Sequence, residues 1–263
     1  MVPAMNDEHF HFKDVTLLVT HYNRSQSLER LLKAFKRLHC AFDDIVVSDD
    51  ASAPDHLKKL DTLQREFPFR LISPTKNGGL GNNLNKGQAA VRTLYTLYVQ
   101  EDFEPTEKFP VAFGHALDFM KQRTELDVIR LYAYVRYPYL KPVGCGFSEM
   151  LYRPWFGDYM KIFMYSDHPH LRRSSFPVKF GRYLEGRKGD VTEYRMCLSF
   201  IQSKGKGLFY EDFQALFHHN NTEDEPSTMK RNNWKQQSRN VFIRIARDSY
   251  RQVKYNFDLL FLR

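Results

Sequence analysis

Pairs of acidic side chains follow two short apolar runs in the sequence. Asp49 and Asp50 follow the first of these runs, and Glu101 and Asp102 follow the second. Carboxylates at such positions can accept hydrogen bonds from the hydroxyl or imino groups of a nucleoside, or coordinate a hard divalent cation through oxygen. These residue types predict a site for a polar, phosphorylated ligand.

Two further polar segments have the same kind of setting. The cluster Thr20–Arg24 follows an apolar run, and the Gly/Asn-rich stretch Lys76–Gly87 leads into a helical pattern. Backbone N–H groups at a helix start can bind phosphate. However, the stretch contains neither a P-loop nor a dinucleotide signature, since Gly87 and not a hydroxyl residue follows Lys86. The alternative is an ordinary helix N-terminus with turn glycines.

The elements that position these segments alternate between strands and amphipathic helices. This order predicts an α/β fold with a mostly parallel twisted sheet and helices on both faces. Ligands of such sheets bind at the carboxyl ends of the strands, so we expect the polar clusters to converge on one cleft. The predicted strands are Val15–Thr20, Ile45–Ser48, Phe69–Ile72, Thr96–Val99, Val128–Tyr134 and Gly207–Tyr210.

The second half has a weaker pattern. Val111–Met120 is typical of a helix, and Pro138–Pro177 is expected to be irregular, aromatic and basic. Residues 229–263 are strongly basic, with Ile243, Tyr250 and Val253 at helical spacing. This tail predicts a helix that docks on an anionic membrane leaflet, packs on the domain or mediates a homodimer.

The order of the motifs resembles family 2 glycosyltransferases of the GT-A, Rossmann-like fold. A strand ends in T-x-Y-N-R, the next in S-D-D-A-S, and K-N-x-G then precedes a helix. The resemblance covers residues 15–105 well and continues more weakly to His219. It implies an inverting transferase that moves a sugar from a nucleotide-diphosphate donor, such as a UDP-sugar, to a hydroxyl of a glycan or glycolipid. The donor-binding residues that it implies are Thr20, Tyr22, Asn23, Arg24, Asp49, Asp50, Lys76, Gly79, Asn82, Asn85 and Glu101.

The resemblance also implies a divalent cation, Mn²⁺ or Mg²⁺. Asp102 occupies the position of the last carboxylate of the family's D-x-D segment, while Gln100 replaces the first Asp. His218, in the sequence Phe217–His219, is similar to a late histidine of the family that approaches the metal or the diphosphate. The alternatives are an acidic surface turn and a surface histidine.

A carboxylate at the start of a later helix is the general base in the family. Glu193 matches this position, although Tyr194 replaces the usual Asp, and Asp190 is the second candidate. The alternative is an acidic residue that only complements the helix dipole. Arg172 and Arg173 either neutralise diphosphate charge, contact an acidic acceptor or lie in a solvated basic loop.

We therefore divide the chain into four parts. Residues 1–12 form an N-terminal extension, 13–134 the nucleotide-sugar-binding half, 135–222 the acceptor-binding and catalytic half of the same domain, and 223–263 the basic helical tail. The first residues lack the pattern of a signal peptide, and no apolar run is long enough to cross a bilayer, so we expect a cytoplasmic protein at the inner face of the membrane.

The overall composition is compatible with other anion-binding functions. A formal net charge of +8 favours nucleotide phosphates, nucleic acid or an acidic membrane. A nucleotidyltransferase needs a glycine-rich, basic signature after the first strand, which Thr20–Arg24 lacks. A nucleic-acid-binding protein is disfavoured by the acidic pairs, which repel phosphate. The three cysteines, at 40, 145 and 197, are expected to be reduced core thiols.

Overall fold

A computed structural model of the chain describes residues 9–220, Glu225 and residues 241–262. Most of the predicted N-terminal extension, residues 1–8, lies outside the described residues. The same holds for much of the basic tail, including residues 226–240.

Nine strands form one central sheet, and two short strands form a second sheet. In the central sheet the order is β3-β2-β1-β4-β9-β6-β10-β8-β7, and β11 pairs with β5. The strands are β1 (Phe10–His21), β2 (Cys40–Asp49), β3 (Arg70–Ile72), β4 (Tyr95–Gln100), β5 (Phe103–Pro105), β6 (Val128–Arg130), β7 (Leu140–Gly144), β8 (Phe147–Met150), β9 (His170–Arg173), β10 (Gly207–Tyr210) and β11 (Phe217–His219).

The first four strands of this order are parallel, as predicted. Strand β9 then runs antiparallel between β4 and β6, and β6 and β10 are parallel to each other. The helices are α1 (Ser25–Arg37), α2 (Pro54–Glu66), α3 (Gly79–Ala90), α4 (Phe109–Gln122), α5 (Phe176–Phe180), α6 (Gly189–Gln202) and α7 (Val241–Phe261), with a short 3₁₀ helix at Tyr159–Ile162.

Side chains of the central strands alternate between two apolar cores, one on each face of the sheet. Leu17 and Val19 of β1 enter a core built with α1, α2 and α4, whereas Leu18 enters the core built with α3, α5 and α6. Because successive side chains of a strand point to opposite faces, an apolar run such as Val15–Thr20 needs helices on both sides. The predicted α/β fold is confirmed.

Three local predictions are corrected. The strand predicted at Val128–Tyr134 ends at Arg130, and the segment Pro138–Pro177, expected to be irregular, contains β7, β8, β9 and α5. Short strands of three to five residues depend on pairing with distant partners, which the local sequence does not reveal. Of the cysteines, Cys197 is buried, Cys40 is half-buried and Cys145 is exposed, so not all three are core thiols.

Candidate active site

The ends of β1, β2 and β4 and the start of α3 surround a cleft of ≈ 330 Å³. Strand ends at one edge of a parallel sheet come together in this way, as the sequence predicts. Residues that line the cleft include Thr20, His21, Tyr22, Arg24, Asp50, Asn77, Gly79, Asn83, Gln100, Glu101, Asp102, Arg187 and Gly189.

Glu101 and Asp102 form a buried acidic pair at one end of the cleft. Arg24 donates a hydrogen bond to Asp102 Oδ2 over 2.7 Å, and its Nη1 lies 3.9 Å from Glu101 Oε1. His219 Nε2 lies 3.1 Å from the same Asp102 oxygen. Two buried carboxylates side by side are costly, and one buried arginine offsets part of that cost.

The pKa values of the two carboxyl groups of this pair shift in opposite directions. Burial, followed by the charge of Asp102, raises the pKa of Glu101 to about 8. Burial alone also disfavours ionisation of Asp102, but the hydrogen bond from His219 and the charge of Arg24 outweigh it and lower the pKa of that carboxyl. Asp102 is therefore the anion of the pair at neutral pH, whereas Glu101 keeps its proton until the pH approaches 8.

The chemistry of Asp102 fits a divalent cation. Its Oδ1 atom is buried and has no hydrogen-bond partner among the described residues, although Oδ2 contacts Arg24 and His219. An ionised oxygen without a donor inside a polar cleft is suited to a hard cation, which completes its shell with phosphate oxygens and water. No cluster of three or more His, Cys, Asp or Glu side chains at metal-binding distance occurs in the described part of the chain. Asp102 therefore supplies at most a partial coordination shell.

Asp50 also lines the cleft and holds the start of α3. Its two carboxylate oxygens accept hydrogen bonds from the N–H groups of Gly78 and Gly79, over 2.8 and 2.9 Å. Gly79 has φ +77°, a left-handed conformation that suits glycine. This turn places the helix N-terminus in the cleft.

Asp49 does not line the cleft, although the sequence groups it with Asp50. Its carboxylate is fully buried and accepts hydrogen bonds from Ser52 and Ser73, and it lies 2.8 Å from His21 Nδ1. Burial alone would raise the pKa of Asp49, but these hydrogen bonds outweigh it and hold the pKa well below its usual range. The predicted donor-binding role is corrected, because consecutive residues point in opposite directions and Asp49 supports the loops behind the cleft.

Three other predicted donor-binding residues face the protein and not the cleft. Asn23 accepts a hydrogen bond from Ala53 N over 2.7 Å and so joins the first two loops. Asn82 and Asn85 donate to the carboxylate of Glu185, over 2.9 and 2.7 Å. These amides fasten the loops that shape the cleft. Lys76 is exposed and does not line it.

Asn83 lies where the sequence analysis did not place a ligand-binding residue. It is buried, lines the cleft, and its Nδ2 donates to the His21 carbonyl over 3.3 Å. The side-chain oxygen of Asn83 accepts from Ser48 Oγ over 2.7 Å and from Lys86 Nζ over 2.5 Å. The run Asn82–Asn83 offered the signal, but only the helical rotation decides which of the two amides faces the strands.

Glu193 and Asp190, the candidate bases, begin α6 beside the cleft but do not line it. Asp190 is exposed and its Oδ1 accepts from Val191 N over 2.9 Å. Glu193 is half-buried and its Oε1 accepts from Ser166 Oγ over 2.8 Å and from Asp167 N over 3.3 Å. Of the two, only Glu193 belongs to a buried polar network.

A second acidic pair, Asp167 and Glu193, lies behind the acidic pair of the cleft. Burial and the adjacent Glu193 raise the pKa of Asp167 well above its usual range. The backbone oxygen of Asp167 accepts from Gln100 Nε2 over 3.5 Å, which connects this pair to the end of β4. The sequence analysis missed Asp167, because it belongs to the segment expected to be irregular.

His219, and not His218, contacts Asp102. The side chain of His218 is exposed, whereas His219 packs on Phe103 with ring centroids 4.7 Å apart. Both residues belong to β11, so their side chains point to opposite faces. The prediction of His218 as the residue near the metal is therefore corrected to its neighbour.

Arg172 and Arg173 are also misplaced by the sequence analysis. Both belong to β9 in the centre of the sheet, and Arg172 is fully buried. Its guanidinium donates to Gln88 Oε1 over 2.7 Å and to the hydroxyl of Tyr183. Neither arginine lines the cleft or lies in a solvated loop.

Most of the residues that line the cleft belong to a segment that matches a known protein family. The sequence profile described as "Glycosyl transferase family 2" matches residues 16–159, more than half of the chain. The chain belongs to glycosyltransferase family 2. This membership favours the predicted glycosyltransferase over a nucleotidyltransferase. The matched range contains β2, β3, β4, most of the apolar part of β1 and both acidic loops.

Solved structures with the same fold are remote in sequence. This family 2 glycosyltransferase superposes on residues 1–349 of TarS from S. aureus with a TM-score of 0.57 at 16% identity, over 80% of this chain and 61% of that chain. For the same TarS fragment in complex with UDP-GlcNAc, the TM-score is 0.60 at 13% identity, over 92% of this chain and 71% of that chain. For the mannosyltransferase PcManGT from Pyrobaculum calidifontis, in complex with GDP-Man and Mn²⁺, the TM-score is 0.56 at 11% identity, over 95% of this chain and 65% of that chain.

These likenesses show the GT-A fold alone, since all three identities are low. The chain spans less than two thirds of the TarS fragment in the first of these superpositions. None of the curated protein sequences that were compared matches this one.

Proposed function

We propose that the protein transfers a sugar, with inversion, from a nucleoside diphosphate to a hydroxyl of a glycan or glycolipid. The observation that carries this proposal is the position of Asp50 and Asp102 in one cleft beside the N-terminus of α3. A nucleoside and a diphosphate need this combination of acceptors, oriented N–H groups and positive charge.

The donor fits between the two ends of the cleft. We assign the nucleoside to the end with Thr20, Tyr22 and Asp50, and the diphosphate to the end with Arg24 and Asp102. Arg24 is buried and already oriented by Asp102, so little entropy is lost when it also meets phosphate. A UDP-sugar is the first choice and a GDP-sugar the second, because these are the donor types in the TarS and PcManGT complexes.

A divalent cation, Mn²⁺ or Mg²⁺, completes the diphosphate site. Asp102 would hold it through its unpartnered Oδ1, and Glu101 would add a second oxygen donor once its carboxyl is ionised. When bound, such an ion supplies positive charge beside the leaving diphosphate. His219 orients Asp102 by hydrogen bonding to the other carboxylate oxygen. The Mn²⁺ in PcManGT supports this assignment.

Glu193 is our choice for the general base, with Asp190 as the second candidate. A base must hold a free lone pair within hydrogen-bond reach of the attacking hydroxyl. Ser166 Oγ and Asp167 N donate to Glu193 Oε1 and hold this carboxylate at the start of α6, beside the cleft. The proton removed from the acceptor then enters a carboxyl pair in which Asp167 already favours the protonated form.

Single substitutions separate donor binding from transfer. With UDP and Mn²⁺ as probes, Asp102→Asn should lose most of the Mn²⁺-dependent rise in melting temperature, because a ligand that binds only the folded state stabilises it. Glu193→Gln should keep this rise and lose hydrolysis or transfer of UDP-GlcNAc, or of GDP-Man if the protein prefers guanosine. Asp190→Asn is the matched control and should keep both.

Two results would contradict the proposal. The cation assignment is wrong if UDP and Mn²⁺ raise the melting temperature of Asp102→Asn as much as that of the unchanged protein. The base assignment is wrong if Glu193→Gln turns over the donor at the original rate, and a loss in Asp190→Asn instead would move that role to the exposed residue.

A further inference from the structure

Helix α7 presents apolar side chains to solvent. The exposed fractions are 51% for Ile243, 65% for Tyr250, 70% for Val253, 58% for Phe257, 74% for Leu260 and 67% for Phe261. Their spacings of three, four or seven residues place them along one face of the helix. We call these six residues the apolar strip. A contiguous exposed strip of this kind on a protein surface marks a contact site.

The opposite face of α7 attaches to the protein largely through polar contacts. Asp258 is buried and accepts from the hydroxyl of Tyr194 over 2.5 Å. Arg251 donates to the hydroxyl of Tyr159 over 2.9 Å, and Gln252 donates to the Phe156 carbonyl over 2.9 Å. Tyr255 adds ring contacts with the domain on this face, but the apolar strip stays exposed, unlike the apolar face of an ordinary surface helix. The contacts orient the apolar strip away from the domain.

The charge of the chain favours an anionic partner. Helix α7 contains four basic and two acidic residues in its sequence, and the whole chain has a net charge of +8. A groove of ≈ 840 Å³ adjoins the end of α7, and its lining combines Leu260 and Leu262 with Arg195 and with the ion pair of Arg182 and Glu185. Apolar side chains beside cations are the pattern of a helix that lies in the interface of an anionic bilayer.

A second copy of the chain fits the apolar strip less well. The 21 residues of α7 span roughly 31 Å at about 1.5 Å per residue, and a helix about 10 Å wide presents roughly 300 Å² to a flat partner. Stable interfaces bury about 800 Å² per partner. Two strongly basic chains also repel each other, whereas anionic lipid attracts both.

We propose that the apolar strip of α7 inserts into the interfacial layer of an anionic phospholipid membrane, to which the net positive charge of the chain attracts the protein. In the described residues, no helix is both long and apolar enough to cross a bilayer, so this contact is peripheral. The proposal is independent of the donor and base assigned above. It adds an apolar anchor to the charge attraction that the sequence of the tail predicts.

Flotation of the full chain with vesicles tests this contact. The protein should bind vesicles of equal parts phosphatidylglycerol and phosphatidylcholine and should bind pure phosphatidylcholine much more weakly. The triple variant Val253→Ser, Phe257→Ser and Leu260→Ser should lower the partition coefficient on the anionic vesicles at least about tenfold, since each change removes apolar contact. All three positions are exposed, so the fold should survive.

A matched control removes the same number of exposed apolar side chains elsewhere. Leu94, Val111 and Val178 are exposed by 66%, 55% and 89% and do not belong to α7. Their triple change to serine should leave binding within about twofold. Both triple variants should keep the melting-temperature rise with UDP and Mn²⁺ that the unchanged chain shows, which separates this test from that of the proposed function.

Three outcomes overturn the proposal. The first is no binding of the unchanged chain to the anionic vesicles, and the second is equal loss of binding in both triple variants. The third is a dimer, measured by light scattering, that the α7 variant dissociates while vesicle binding is absent, which would assign the strip to a second copy.

Discussion

Gly81 provides a sharp test of how the structure positions the donor cleft. It lies in the first turns of α3, and a Cβ added to it would be 2.2 Å from the Leu184 carbonyl oxygen and 2.9 Å from the carbonyl carbon. Real Cβ contacts are essentially never closer than 3.0 Å, and a backbone carbonyl cannot rotate away as a side chain can. Gly81→Ala must therefore push the start of α3 and the loop around Leu184 apart.

The cost follows from the size of this displacement. Overpacking of a buried site costs about 1–3 kcal/mol. Separation of the loop also weakens the hydrogen bonds that Asn82 and Asn85 donate to Glu185, each worth about 1 kcal/mol. The better helix propensity of alanine offsets up to about 1 kcal/mol. We expect a net loss of about 1–3 kcal/mol in the free energy of unfolding, and roughly 2–4 °C in melting temperature for each kcal/mol.

Gly114→Ala in α4 is the control, because nothing lies within 4 Å of its added Cβ. This variant should be more stable than the unchanged protein by up to about 1 kcal/mol through helix propensity alone. Urea unfolding of both variants measures the difference, and binding of UDP with Mn²⁺ should weaken only in Gly81→Ala, since Gly79 and Asn83 of the same helix line the cleft. Equal stability of the two variants would refute this account of the helix start.

Three other side chains give predictions for urea unfolding and nucleotide binding. Because the folded state raises the pKa of Glu101 from 4.5 to about 8, the protonated carboxyl contributes stability that is fully present below pH 4.5 and is lost as the pH rises from there through 8. Glu101→Gln should remove that loss, so its gain in stability over the unchanged protein should grow with pH across this window, to a few kcal/mol at most. His219→Ala should raise the dissociation constant of UDP with Mn²⁺ about tenfold, because Asp102 loses a hydrogen-bond donor. His218→Ala should change this constant, measured by titration calorimetry, less than about twofold. Asp49→Asn should cost about 2–3 kcal/mol at neutral pH, and the cost should shrink on acidification, because the lowered pKa of Asp49 makes its contribution one that is lost as pH falls.

Strands with a continuous apolar run and helices with a clear apolar stripe could be predicted from the sequence. Strands β1 and β4 contain continuous apolar runs, and α1 has a strong apolar stripe, so burial on a sheet is their only favourable arrangement. Strand β9 escaped prediction because His170–Arg173 is polar in sequence. Its position depends on antiparallel pairing with β4 and β6, two strands that are distant in the chain.

The location of the site could be predicted, but not the direction of each side chain. The carboxyl ends of β1, β2 and β4 meet at one edge because parallel strands require it. Whether Asp49 or Asp50 faces the ligand depends on where β2 ends, and whether His218 or His219 meets Asp102 depends on the register of β11 with β5. One residue of register reverses every side chain of a strand, and nothing in the local sequence fixes that register.

Gln100 illustrates how the charges of the cleft constrain its sequence. Family members of the D-x-D type carry a carboxylate at this position, but here the cleft already holds Asp102 and a carboxyl at Glu101 whose pKa is raised to about 8. A third buried carboxylate would need a further proton or cation. It would also face the carbonyl oxygen of Asp167, to which the Gln100 amide donates over 3.5 Å. An amide at position 100 thus satisfies an acceptor that a carboxylate would repel, and it leaves Asp102 as the anionic oxygen donor at which a cation and a diphosphate can meet.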